Sequence, residues 1–351
     1  MQVVRFLNKD MITKYEIDYL NVEDADAILI HFVDDVLGEK VIAIDAGRYS
    51  DGELVSNFVK KYYGRRFIDI AICTHCDDDH YGGFIKLIEE QLDYPYTGIK
   101  ILSLLINDPG KYIKASDVKY YKSDANAKEE ARTVYTLSDG EKNLLDIAKE
   151  ARIPMRDAFS SGGDDYSLFN GAIEILAPTM WHYEELAPIL RHNLEPYDTD
   201  DNQEDDTTLE YGRCISPKLD AAPDDTSTHN QSSVILLFNP GDGNKFVFTG
   251  DAGRQAFDCM LDIDREKMKE ALVLKIPHHG SQHNIDSTMI NFINPKMAIV
   301  SAKSSKKYFN PMVKHALKRK GVMVYSTMSN GSLRYNSGFD ARDDYTLAAP
   351  M

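Results

Sequence analysis

The apolar run Phe67 to Cys73 ends directly in Thr74-His75-Cys76-Asp77-Asp78-Asp79-His80, a dense cluster of ligand-type side chains. A compact apolar run of that length reads as a buried strand, and Gly82 to Glu90, with apolar residues at helical spacing, reads as a helix. Strand, polar turn and helix together form the unit in which α/β sheets carry chemistry at their strand ends. A chain built around such a buried strand must cover both of its faces, which calls for a layered α/β fold.

The rest of the first third reads as antiparallel strands at Val3 to Leu7, Tyr15 to Val22, Ala27 to Phe32 and Lys40 to Asp45, with Gly38 at a turn. Glu53 to Tyr63 carries Leu54, Phe58 and Tyr62 at helical spacing. Further on, Ile99 to Ile106 and Ala172 to Ala177 read as strands and Gly140 to Ala151 as a helix. Ser233 to Phe238 and Lys245 to Thr249 flank the turn signal Asn239 to Asn244. A helix after Asp251, a strand Leu272 to Ile276, a helix Ile285 to Ile293 and a strand Met297 to Ser301 follow. A helix Pro311 to Lys320 and strands Val322 to Ser326 and Ser332 to Tyr335 complete the pattern. Both halves run antiparallel strands into strand and helix units, which suggests two stacked sheets with helices outside.

A single domain over 1–351 is expected, with insertions at about 107–170 and an acidic loop at about 193–231. Seven of the twelve residues from Glu195 to Asp206 are Asp or Glu, so this loop reads as a solvated connection, with a lid or a protein-binding segment as the second reading.

Forty basic against 56 acidic residues give a net charge of −16, which argues against a surface that tracks duplex phosphates. It leaves room for a nucleotide or a nucleic-acid end entering a metal-lined pocket. No apolar run approaches the roughly 20 residues of a membrane span, and the first residues lack a signal-peptide pattern, so a cytoplasmic protein with no membrane partner is expected. Four cysteines are too few and too scattered for a disulfide scaffold. Cys73 and Cys76 form a C-x-x-C, for which a redox pair or half a zinc ribbon are the competing readings.

His75, Asp77, Asp79 and His80 leave the strand at a spacing that suits two cations about 3.5 to 4 Å apart. The strand Phe246 to Thr249 ends in Gly250-Asp251, a carboxylate beside a residue that allows close backbone approach. Leu274-Lys275-Ile276-Pro277 ends in His278-His279-Gly280. Any one of these alone reads as a cap or a satisfied core residue; three strand ends carrying such groups read as one site.

With these motifs the chain resembles the metallo-β-lactamase superfamily, and within it the hydrolase domain of ComEC-type DNA-uptake competence proteins. The resemblance runs through Asp18 to Val22, Asp26 to Ile30, Ile44-Asp45-Ala46-Gly47 and the H-x-D-x-D-H stretch with Gly82-Gly83. It continues through Ser232-Ser233, Thr249-Gly250-Asp251, Pro277 to Ser281 and Ser326-Thr327. It implies an α/β fold, a four-layer αββα metallo-β-lactamase-like sandwich with a dinuclear site along one edge. His75 and Asp77 would bind one metal, Asp79, His80 and His279 the other, and Asp251 would bridge. Asp45 and Ser232 would support the ligands from behind. Asp79 and His278 are the residues assigned to catalysis, His278 facing substrate. His279 is preferred as ligand because adjacent residues leaving a strand point in opposite directions.

The chain departs from the pattern at Glu23-Asp24-Ala25, where glycines are expected, and at Asn310-Pro311, in place of His-Pro. The superfamily's further histidine on the first metal must come from His182, His192 or His229. His182 is the candidate, with water or an oxygen ligand such as Asp108 as alternatives.

Two divalent cations lower the pKa of a bridging water toward about 7, making hydroxide available for hydrolysis. Zn²⁺ ranks first, with Mn²⁺ or Fe²⁺ as alternatives because Asp77 stands where many relatives have an imidazole. The resemblance points to a phosphodiesterase or nuclease, with Tyr62-Tyr63, Tyr120-Tyr121 and Tyr183 as candidate base-stacking residues. A lactonase or thioesterase is the alternative hydrolase. A degenerate metal-binding scaffold or interaction protein is the non-enzymatic reading.

Overall fold

The computed structural model describes residues 12–120, 126–160, 167–193, 217–302 and 309–351. The strand expected at Val3 to Leu7, most of the acidic loop and the side chains of Tyr120-Tyr121 lie outside the described residues.

In chain order the strands are β1 (Ile12–Tyr19), β2 (Ala27–Asp34), β3 (Gly38–Ala46), β4 (Phe67–Ile68), β5 (Ile70–Ile72), β6 (Lys100–Ile101), β7 (Leu104–Leu105) and β8 (Met155–Arg156). The second half contributes β9 (Ser167–Leu168), β10 (Ile173–Ala177), β11 (Ile235–Phe238), β12 (Phe246–Phe248), β13 (Val273–Lys275), β14 (Met297–Val300), β15 (Met323–Ser326) and β16 (Leu333–Ser337). Among the described residues they form two seven-stranded sheets, β16-β1-β2-β3-β5-β7-β8 and β15-β14-β13-β12-β11-β10-β9, and β4 pairs with β6. In the first sheet β16 through β3 are antiparallel and β3, β5, β7 and β8 parallel. The second sheet repeats this plan, with β9 through β12 antiparallel and β12 through β15 parallel.

Side-chain alternation builds the layers. In β2, Ile28, Ile30 and Phe32 enter the core between the sheets, where they meet Phe238, Phe246 and Phe248. Ala27 and Leu29 face the other way, against Val55 and Val59 of α1 (Gly52–Tyr62) and Phe84 and Leu87 of α2 (Asp78–Asp93). On the far side Val247, Leu274, Ala298 and Val324 pack under helices that include Ser287–Ile293 and Pro311–Arg319. Helix, sheet, sheet, helix is the four-layer αββα sandwich expected from the sequence.

Some boundaries differ from expectation for physical reasons. Ile99 to Ile106 splits into β6 and β7, because Leu102 turns outward, 46% exposed, between two short pairings with different partners. The helix expected from Gly82 begins at Asp78, so Asp79 and His80 occupy its first turn rather than a loop. Two acidic residues there complement the positive end of the helix dipole. Among the described residues no helix is long and apolar enough to cross a membrane.

Candidate metal centre

The parallel strands set the centre's location. β3 and β5 in one sheet, and β12, β13 and β14 in the other, end along one edge of the sandwich. Asp45 sits in the last residues of β3, and Thr74 to His80, Asp251, His278-His279 and Ser301 follow the other ends. A backbone bond from Val234 to the Thr74 carbonyl, 2.9 Å, joins the two sheets there.

At the centre of the cluster lies Asp251. Its Oδ2 is 3.3 Å from His80 Nε2, 3.7 Å from His279 Nε2 and 3.9 Å from His278 Nε2. His279 Nε2 also lies 3.5 Å from Asp79 Oδ2, and His75 Nε2 lies 3.4 Å from Asp77 Oδ2. Ligand atoms of His75, His80 and Asp251, and likewise of Asp79, His80 and His279, fall within 4.8 Å of one another. The structure therefore brings together the six residues expected as ligands, His80 standing between the two groups.

The buried Nε2 atoms of His75 and His80 make no hydrogen bond. Buried nitrogen lone pairs facing carboxylates are the donor set a divalent cation takes up, so these residues fit a metal. The opposite ring atoms are held as metal-bound imidazoles usually are. His80 Nδ1 lies 2.7 Å from Asp45 Oδ2, and His279 Nδ1 lies 2.9 Å from the Ser301 carbonyl. Asp45 also accepts from the Thr74 N–H at 2.8 Å and the Thr74 hydroxyl at 2.6 Å.

Burial and the mutual attraction of carboxylate and imidazole oppose each other throughout the cluster. Burial alone would raise the pKa of Asp251, yet the imidazoles of His80, His279 and His278 hold it well below the ordinary carboxylate range. Burial alone would lower that of His80, yet Asp251, Asp45 and Asp79 hold it well above an ordinary imidazole. Asp77 is held well below its usual value against burial by His229 and His75.

His278 and His279 occupy positive φ, 44° and 50°, in a tight turn rather than extended backbone. The alternation rule used to separate them does not apply, and both Nε2 atoms approach Asp251. Burial makes the distinction instead. His279 is enclosed, whereas the His278 side chain is 22% exposed and its Nδ1 faces Asn284 Oδ1 at 3.1 Å and Asp225 Oδ2 at 3.5 Å. Burial lowers the His278 pKa, but Asp251 and Asp225 outweigh it and bring it to about 9.

His182, the candidate extra ligand, is buried in the helix Met180–Leu186 and joins none of these ligand groups among the described residues. Among the described side chains of that interval, the histidine that reaches the centre is His229, whose Nδ1 lies 2.6 Å from Asp77 Oδ1 while Nε2 meets the Leu190 carbonyl at 2.7 Å. Asp108, the oxygen alternative, is engaged by Arg132 at 2.8 Å. Ser232 donates to the His229 carbonyl at 2.7 Å; the serine touching a ligand is Ser233, whose hydroxyl accepts from the Asp251 N–H at 3.3 Å. Two of the proposed stacking tyrosines are structural, with Tyr183 donating to the Asn107 carbonyl at 2.6 Å and Tyr63 to Asp18 at 2.7 Å. Sequence reading assigned no role to Asp26 and Lys275, which lie inside motif segments, or to Asp225 and Asn284, which no motif marks.

Histidines and aspartates gathered at one edge of a four-layer αββα sandwich define a layered α/β protein with a candidate metal centre. No protein-family model matches the chain. Over 123 residues, 34% of its length, it is 33% identical to ComE operon protein 3 of Bacillus subtilis (strain 168), a match that spans 15% of that protein. Among solved structures it is similar to the metallo-β-lactamase fold protein YhfI from Bacillus subtilis, at 10% identity and a TM-score of 0.43, covering 92% of this chain and 100% of that one. A diphosphatase from the PhnP family is similar at 11% identity and a TM-score of 0.42, covering 93% and 99%.

Proposed function

We propose that the chain is a metal-dependent hydrolase that cleaves phosphodiester bonds in a nucleotide or at a nucleic-acid end. The observation that carries the hydrolase reading is the convergence of buried imidazoles from β5, α2 and the β13 end on one aspartate. In this reading His75 and Asp77 hold one divalent cation, Asp79, His80 and His279 a second, and Asp251 serves both. When bound, such a pair supplies an ionised water and charge stabilisation for the developing oxyanion. His278, enclosed on one side and open on the other, sits where it can donate a proton to a phosphate oxygen or a leaving group, with Asp225 holding its far nitrogen. The phosphodiester assignment is supported by the motif resemblance, and the low density of basic residues favours a small or single-ended substrate over long duplex. A degenerate scaffold is favoured by one observation, that His229 already occupies one oxygen of Asp77.

Metal analysis and turnover separate the two. Dialysed against Zn²⁺ or Mn²⁺, the enzyme reading expects two ions per chain and cleavage of bis(p-nitrophenyl) phosphate, both lost in Asp251→Ala. One tightly held ion with no turnover supports the scaffold; cleavage of p-nitrophenyl acetate alone supports a carbonyl-ester hydrolase.

A further inference from the structure

Lys275 is wholly buried, an ammonium set among the aspartates at the end of β13. Alternation along β13 sends Val273 into the core between the sheets and Leu274 to the opposite side, so Lys275 returns to the inter-sheet side at the end nearest the metal centre. A buried charge is retained only when paired and hydrogen-bonded, and here the partners belong to the centre. Lys275 Nζ forms an ion pair with the buried Asp26, donates to the Gly250 carbonyl at 3.0 Å and lies 3.6 Å from Asp251 Oδ1. Asp251 is thereby divided, with Oδ1 turned to the ammonium and Oδ2 to the three imidazoles.

We propose that Lys275 is a positioning residue that acts as a fixed internal cation of the centre. It holds Asp251 Oδ1, so that Oδ2 alone serves the metal pair. This rests on the two-metal reading above. Charge balance points the same way. Asp26, Asp45, Asp77, Asp79 and Asp251 gather around one ammonium, so the carboxylates of the cluster outnumber its fixed cation.

The test is the charge-balanced pair of substitutions Lys275→Met with Asp26→Asn, compared with Asp26→Asn alone, which keeps the ammonium on Asp251. Folding is checked by thermal melting of the metal-free proteins, and metal affinity by chelator competition with Zn²⁺. The double variant should fold yet bind the pair about 10- to 100-fold more weakly than Asp26→Asn does, a difference that reads the ammonium alone. On bis(p-nitrophenyl) phosphate the double variant should lose kcat with KM little changed. If Lys275 only neutralises Asp26, the double variant binds metal like Asp26→Asn, and the proposal is overturned while the two-metal reading stands. A wild-type protein that binds no pair overturns both. Should the double variant not fold, Lys275→Gln with Asp26→Asn provides the same comparison with a polar side chain in the lysine's place.

Discussion

Asp45 shows how much one residue can determine. It sits at positive φ, 54°, a conformation that costs a non-glycine residue free energy and is tolerated where the surroundings compensate. Its carboxylate compensates by accepting from the Thr74 N–H and hydroxyl and meeting His80 Nδ1, which fixes the strand end and the ring together. In Asp45→Asn one oxygen is replaced by a donor, so His80 loses its acceptor and the ring its orientation. Zinc affinity measured by chelator competition should fall about 10- to 100-fold, with the melting temperature of the metal-free protein changed far less.

At the scale of elements, the centre depends on how closely α2 sits on β3. Gly83 lies against the end of that strand, and a Cβ placed there would come within 2.0 Å of the Ala46 carbonyl oxygen, a backbone atom that cannot step aside. Gly83→Ala should push the helix carrying Asp79 and His80 outward, destabilising the protein by about 1–3 kcal/mol in urea unfolding and weakening metal binding with it. The elements also explain what the sequence could and could not reveal. The ligand-bearing strand ends at Thr74, Asp251 and His278 were legible because each apolar run stops abruptly at polar residues, a signal carried within a few positions. The start of α2 was not, because an acidic first turn looks like a loop until the helix dipole is considered. His229 meets Asp77 across 152 positions, and Lys275 at the end of β13 meets Asp26, which precedes β2 in the other sheet; pairings of that kind are created by the sheet packing and leave no local pattern.

For the whole molecule, the two sheets repeat one plan and the last strand, β16, closes the first sheet beside β1. The segment after it returns across that sheet and inserts Arg342 into a buried acidic and aromatic pocket. Its guanidinium donates to Asp18 and Glu16, both at 2.7 Å, and lies 4.5 Å from the Tyr62 ring centroid. Burial raises the pKa of Asp18 to about 6, with Arg342 opposing the rise. An acid whose folded pKa lies above its unfolded value costs stability as pH climbs through the folded value. Removing the counter-charge in Arg342→Ala raises that folded value further. The variant should lose about 3 kcal/mol in urea unfolding at pH 8 and clearly less at pH 5, where Asp18 takes up its proton. An equal loss at both pH values would mean that packing over the aromatic rings, rather than charge, anchors the segment.

The account as a whole stands on a cation pair at the shared edge of the two sheets. Anomalous diffraction from crystals soaked in Mn²⁺ tests it most directly. Two peaks about 3.5 to 4 Å apart are expected, both within bonding distance of Asp251 and flanked by His75 with Asp77 on one side and His80 with His279 on the other. A map with no peak there, or with a single ion bound away from Asp251, would contradict it.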